Sequence, residues 1–86
     1  MRINKAEFLA WAKTKGNEQY YYFLTSECAL SQYLKYKGKK NPIVGGVTFT
    51  YGIWELQDYN IPQWLIAPLK AGSFDKLVRQ VEGRKI

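Results

Sequence analysis

Apolar and polar positions change their spacing several times along the chain, and each change predicts an element. Ala29, Leu30, Tyr33 and Leu34 recur at helical spacing, which puts them on one face. Thr25 or Ser26 supplies a capping oxygen before them, and Glu27 places an anion in the first turn. Lys35 and Lys37 then meet the negative end of the helix, and Gly38 can take the left-handed conformation that stops it. These signals predict a helix over 26–37, the stretch around which the chain is organised.

Upstream, Asn4-Lys5-Ala6-Glu7 has capping-box spacing, with Ile3 and Phe8 placed as a hydrophobic staple. Phe8, Leu9 and Ala12 form the apolar stripe, Trp11 borders it, and the helix is expected over 5–15 with its stop at Gly16. The run Gln19-Tyr20-Tyr21-Tyr22-Phe23-Leu24 has no polar alternation and so no period to read. It is a short strand or an extended connection beneath the central helix. Packing in the core and at its boundary is its first role; exposure of one or two tyrosines as contact residues is the alternative.

After the turn at Lys39-Lys40-Asn41-Pro42 the period becomes two. Val47, Phe49, Tyr51 and Ile53 alternate with Thr48, Thr50, Gly52 and Trp54, which predicts a half-buried strand over 47–54. Gly45-Gly46 marks a bulge or hairpin corner, and Ile43-Val44 or Tyr20–Leu24 is available as the pairing strand. Asn60-Ile61-Pro62-Gln63 repeats the capping pattern, with Tyr59 and Trp64 as a second staple. The helix that follows, near 61–70, must end or kink at Pro68. Ser73 caps a last helix over 73–82, in which Phe74, Leu77, Val78 and Val81 share a face and Asp75 can pair with Arg79. The expected fold is therefore α+β: about four short helices and a small two- or three-stranded antiparallel sheet in one compact domain spanning 1–86. Mobility is expected only at Met1-Arg2 and Arg84–Ile86.

Composition narrows the chemistry. The 86 residues carry no histidine and one cysteine, so neither an intrachain disulfide nor a Cys/His zinc site can form. The commonest general base is missing as well. Cys28 falls in a first helical turn, where a dipole can lower a thiol pKa, but Glu27 adjoins it and its role is expected to be structural. The acidic residues are scattered without a catalytic spacing, and Ile43–Val47 lacks the length and the lysine of a phosphate loop. A non-enzyme is expected, with no cofactor and no metal. No run approaches the ~18 apolar residues of a membrane span, and the N-terminus lacks a signal peptide's apolar core. A soluble, cytoplasmic protein without a membrane partner is the expectation.

The net charge is +6, and its distribution matters more than its sum. Lys35, Lys37, Lys39 and Lys40 crowd into six residues, while Lys13 and Lys15 form a smaller pair. Such a cluster can neutralise phosphates, and three Trp, seven Tyr and four Phe can supply stacking platforms for bases. The segment from Pro62 to Glu82 also has a helix–turn–helix outline, but Asp75 and Glu82 accompany Lys76, Arg79 and Gln80 on its second helix, a poor set for reading bases. The aromatic excess points elsewhere. So many Trp and Tyr cannot all be buried in a core this small, and these are the types that concentrate energy at protein interfaces.

Four stretches, Ile3–Ala12, Cys28–Leu34, Ile61–Leu65 and Ser73–Val78, give the chain a pattern that resembles small uncharacterised proteins of bacteriophages and prophages. Those proteins bring no assigned site, so no functional residue is carried over. What the resemblance implies is a setting, the cytoplasm of a host cell, and a mode of action in which an accessory phage protein binds one host or defence component. Together with the charge and the aromatics it gives the expected function: non-catalytic binding of a host protein or protein complex, with direct nucleic-acid binding as the alternative. The expected binding residues are Lys35, Tyr36, Lys37, Lys39 and Lys40, with Trp54 and Tyr59 as further anchors.

Overall fold

A computed structural model describes residues 3–22, 27–52 and 58–83. Its elements, in chain order, are α1 (Lys5–Lys13), α2 (Ala29–Tyr36), β1 (Ile43–Val44), β2 (Thr48–Thr50), β3 (Tyr59–Asn60), α3 (Gln63–Ile66), a 3-10 turn (Pro68–Ala71) and α4 (Phe74–Gly83). The strands form one antiparallel sheet in the order β1-β2-β3, so the architecture is α+β as the periodicities predict.

α1 begins with the Asn4 half of its capping box, the Glu7 carboxylate being bonded by Lys37. The Asn4 Oδ1 accepts the Glu7 amide at 2.9 Å, and Ile3 and Phe8 are both buried. The helix ends two residues earlier than the sequence suggests, at Lys13, with turns running on to Gly16 at φ +61°. Its stripe also differs. Leu9 is half-buried, whereas Trp11, expected at the border, is buried at the centre of a ring cluster with Phe8, Tyr33, Tyr36 and Phe74. The centroids lie 5.3–6.0 Å apart, within the favourable range for tilted and edge-to-face rings.

α2 is shorter than 26–37. It starts at Ala29, and Cys28 holds the N-cap position without a side-chain cap bond. The caps expected from Thr25 or Ser26 lie outside the described residues. The C-terminal stop is a Schellman motif: Gly38 N–H donates to Lys35 O at 3.0 Å and Lys39 N–H to Leu34 O at 2.9 Å, with Gly38 at φ +83°. Asn41 then takes φ +50°, away from right-handed helical geometry before Pro42.

Of the two pairing candidates, Ile43-Val44 is the one in the sheet. Ile43 pairs with Thr50 and Val44 with Phe49, and the Gly45 N–H donates to Thr48 O at 2.8 Å, so the glycines do form the corner. The run at Gln19–Tyr22 instead makes one bridge, Gln19 to Ser73, with Tyr20 N–H donating to Gly72 O. Phe23 and Leu24 lie outside the described residues, as do Ile53 and Trp54 of the expected long strand and both chain ends. β2 is correspondingly described over three residues.

A third strand takes over the expected second capping pattern. Asn60 pairs with Thr48, Tyr59 with Phe49, and Ile61 N–H donates to Val47 O at 2.8 Å. With that backbone held in the sheet, Asn60 does not cap; Pro62 takes the N-cap of α3 instead. α3 stops at Ile66 and Pro68 opens the 3-10 turn, the break that a proline without an N–H imposes. α4 buries Phe74, Leu77, Val78 and Val81, the whole predicted stripe, and Arg79 bonds Asp75 at 2.8 Å.

The core follows from these placements. α1 packs on both α2 and α4, and the 3-10 turn packs on α4. Tyr20 reaches under this layer, contacts Phe74, and donates its hydroxyl to Leu69 O at 2.9 Å. Trp11→Ala removes the ring that four others contact, and is expected to cost about 3–5 kcal/mol, a large share of the stability of so small a domain. Trp11→Phe should retain most of it; urea denaturation followed by far-ultraviolet circular dichroism checks both.

Candidate functional site

The Lys35–Lys40 cluster is contiguous in sequence but not in its contacts. The Schellman turn reverses the chain after Tyr36, and the four lysines go three ways. Lys37 crosses to α1 and pairs with Glu7. Lys39 passes to the sheet, where its ammonium stands 5.1 Å from the Tyr51 ring centroid. Lys35 lines a depression of about 290 Å³ with Tyr20, Tyr21, Glu27 and Gln32. Lys40 is exposed, and its carbonyl accepts the Gly52 N–H, which keeps it beside the end of β2.

Tyr36 is 64% exposed, and it is nevertheless held from behind. Its ring lies 6.0 Å from Trp11 and 6.3 Å from Tyr33, tilted by 33° and 34°. Beside it, Glu7 receives hydrogen bonds from Lys37 and from the Tyr33 hydroxyl. The Lys37 bond holds the Glu7 carboxyl below its usual range. Burial, with the adjacent Glu7 charge, pushes the Tyr33 hydroxyl up to about 12. Tyr36 and Lys37 therefore sit on a locked seam between α1 and α2.

Tyr59 belongs to a second group. It stacks on Tyr51 at 5.4 Å with only 7° between the planes, and on Phe49 at 5.5 Å. With Lys39 over the outer ring, this makes a column of one cation and three rings at the sheet end. Tyr51 was not among the expected binding residues, although its alternation with Phe49 in the strand pattern places both on one face. Trp54, the remaining expected anchor, lies outside the described residues.

Three further features complete the surface. The tyrosine run divides: Tyr20 is core, while Tyr21 and Tyr22 are exposed. A groove of about 300 Å³ separates the β1–β2 corner from α3 and the 3-10 turn, lined by Tyr22, Cys28, Val44, Ile66, Leu69 and Lys70. The buried Cys28 thiol there donates to the Ser31 hydroxyl at 3.5 Å, a packing role.

No protein-family model, curated protein or solved structure matches the chain. Among the described residues no three Cys, Asp or Glu side chains gather to hold a metal ion, and no helix is long and apolar enough to cross a membrane. What the surface does offer is ordered rings with cations beside them.

Because the folded Glu7 carboxyl is held low, its contribution to stability is present above pH 4.5 and is lost as pH falls through the lowered folded value. Glu7→Gln is therefore expected to lower the denaturation midpoint at neutral pH. The gap to the unmodified protein should close as pH falls below 4.5, which a series of urea melts checks.

Proposed function

We propose that this protein is a non-catalytic binding protein, and that its partner is a protein or protein complex met through a basic and aromatic surface. Its centre is Tyr36, with Lys35 and Lys37 at the same helix end, and with Lys39, Lys40 and Tyr59 beyond the Gly38 turn, at the sheet. A phage or prophage accessory role in the cytoplasm of a host cell is the setting we propose with it.

The observation that carries this reading is the state of Tyr36. An exposed side chain usually loses rotamer freedom when it is buried in an interface, and that loss opposes binding. Tyr36 is exposed yet already braced by Trp11 and Tyr33, so much of its ordering precedes any contact. A braced tyrosine near lysines fits the chemistry of an interface anchor for a partner surface with carboxylates.

Direct nucleic-acid binding is the second reading, and the column at the sheet end favours it. Lys39, Tyr51 and Tyr59 combine a cation with flat rings, the pairing used to hold phosphate and base together. The two readings differ in salt dependence, since phosphate contacts weaken steeply and uniformly as counterions compete.

The test compares the tagged protein and its Tyr36→Ala variant in captures from bacterial lysate, with and without nuclease, at ~150 and ~500 mM salt, a range over which the screening length shortens. A discrete partner that resists nuclease and salt, and is lost with Tyr36→Ala, is the expected outcome. Recovery of nucleic acid alone, removed by nuclease or salt, overturns it in favour of the second reading.

A further inference from the structure

One cation of the Tyr36 surface comes from outside the lysine cluster. Lys15 follows the end of α1, and its ammonium stands 5.4 Å from the centroid of Trp11, the same ring that braces Tyr36 at 6.0 Å. Lys13–Glu82, Lys37–Glu7 and Arg79–Asp75 are ion pairs among the described residues, and none of them uses Lys15. A ring face orients an ammonium without neutralising it. Lys15 is half-buried, so part of its stem is already packed and the charge is presented from a restricted position.

The two cations of the seam therefore differ. Lys37 is already matched by Glu7, and a second carboxylate there must displace the first. Lys15 is positioned and has no carboxylate partner among the described residues. The exposed ring of Tyr36 packs on the same Trp11 ring and takes an apolar group on its outer face. Of the two cations on this seam, Lys15 is thus the one with no carboxylate partner among the described residues, and it shares the Trp11 ring with an apolar platform.

We propose that Lys15 and Tyr36 form a docking site for an acidic protein segment, with a carboxylate on Lys15 and a neighbouring apolar side chain on Tyr36. This rests on the protein-binding reading above and names the chemistry of its partner. A nucleic-acid backbone brings evenly spaced phosphates, which the adjacent Lys39 and Lys40 serve better than one lysine beside a ring. A carboxylate next to an aliphatic residue matches the seam instead, through charge complementarity and ring contact.

The test is a titration of the isotopically labelled full chain, followed by amide and indole chemical shifts, with three probes. The first is a capped synthetic peptide of sequence Gly-Glu-Leu-Glu-Gly, the second its Gln-for-Glu analogue, and the third an oligothymidylate. The acidic peptide should shift Lys15, Gly16, Tyr36 and the Trp11 indole, and the neutral analogue should not. Lys15→Gln should weaken the peptide by roughly threefold, as for an exposed ion pair. Tyr36→Ala should weaken it about tenfold, and Lys15→Arg should restore binding. Circular dichroism establishes that each variant is folded. If Tyr36→Ala abolishes binding but Lys15→Gln leaves it unchanged, the role of Lys15 is overturned while the protein-binding reading stands. If only oligothymidylate binds, with shifts confined to Lys39, Lys40 and Tyr51, both are overturned.

Discussion

The Trp11 ring lies where α1, α2 and α4 meet, and the packing of all three depends on it. Phe8 comes from its own helix, Tyr33 and Tyr36 from α2, and Phe74 from α4. Tilted and edge-on contacts place positive ring edges against negative faces, which adds direction to a burial that would otherwise fix only distance. The chain of rings continues in both directions. Phe8 meets Trp64 of α3 at 5.9 Å, and Phe74 meets Tyr20, whose hydroxyl then reaches the carbonyls of Pro68 and Leu69. Short helices that bury little area individually are tied together by these rings.

The same rings organise the charge. Lys5 stands over Trp64, Lys15 over Trp11 and Lys39 over Tyr51, while carboxylates take Lys13, Lys37 and Arg79. The two kinds of partner have different consequences. A carboxylate cancels a lysine's field at short range, whereas a ring only holds it in place. With so few acids in the chain, aromatic partners let a net charge of +6 be ordered without being neutralised.

The candidate surface is also where turn geometry outweighs sequence neighbourhood. Gly38 in the left-handed conformation lets Lys39 bond back to Leu34 and sends the chain toward the sheet. Lys37, before the turn, stays with α1 through Glu7, and Lys39, after it, stays with Tyr51. Two lysines separated by one glycine thus belong to different neighbourhoods. Lys15, far from them in the chain, shares the Trp11 ring with Tyr36.

Local interactions were legible in the sequence. The Asn4 cap, the Gly38 stop, the break at Pro68, the α4 stripe and the Asp75–Arg79 pair each involve residues within about one turn of one another, so spacing alone specifies them. The hairpin was legible only in part: the sequence left Ile43-Val44 and Tyr20–Leu24 open as pairing strands and Gly45-Gly46 open as bulge or corner, and the fold took the pairing across the glycines. What only the tertiary structure decided are choices between local options of similar merit. Asn60 could cap a helix or pair in a strand, and the pairing of Tyr59-Asn60 with Phe49 and Thr48 settled it. Trp11 could border the stripe or centre it, and α2 and α4 closing over α1 put it at the centre. The three tyrosines of the aromatic run carry no period to separate them, and only the position of Phe74 and the carbonyl of Leu69 makes Tyr20 the buried one. Sequence spacing determines what a segment can form, whereas contacts between distant segments determine which side chains are covered, and a binding surface is made of those left uncovered.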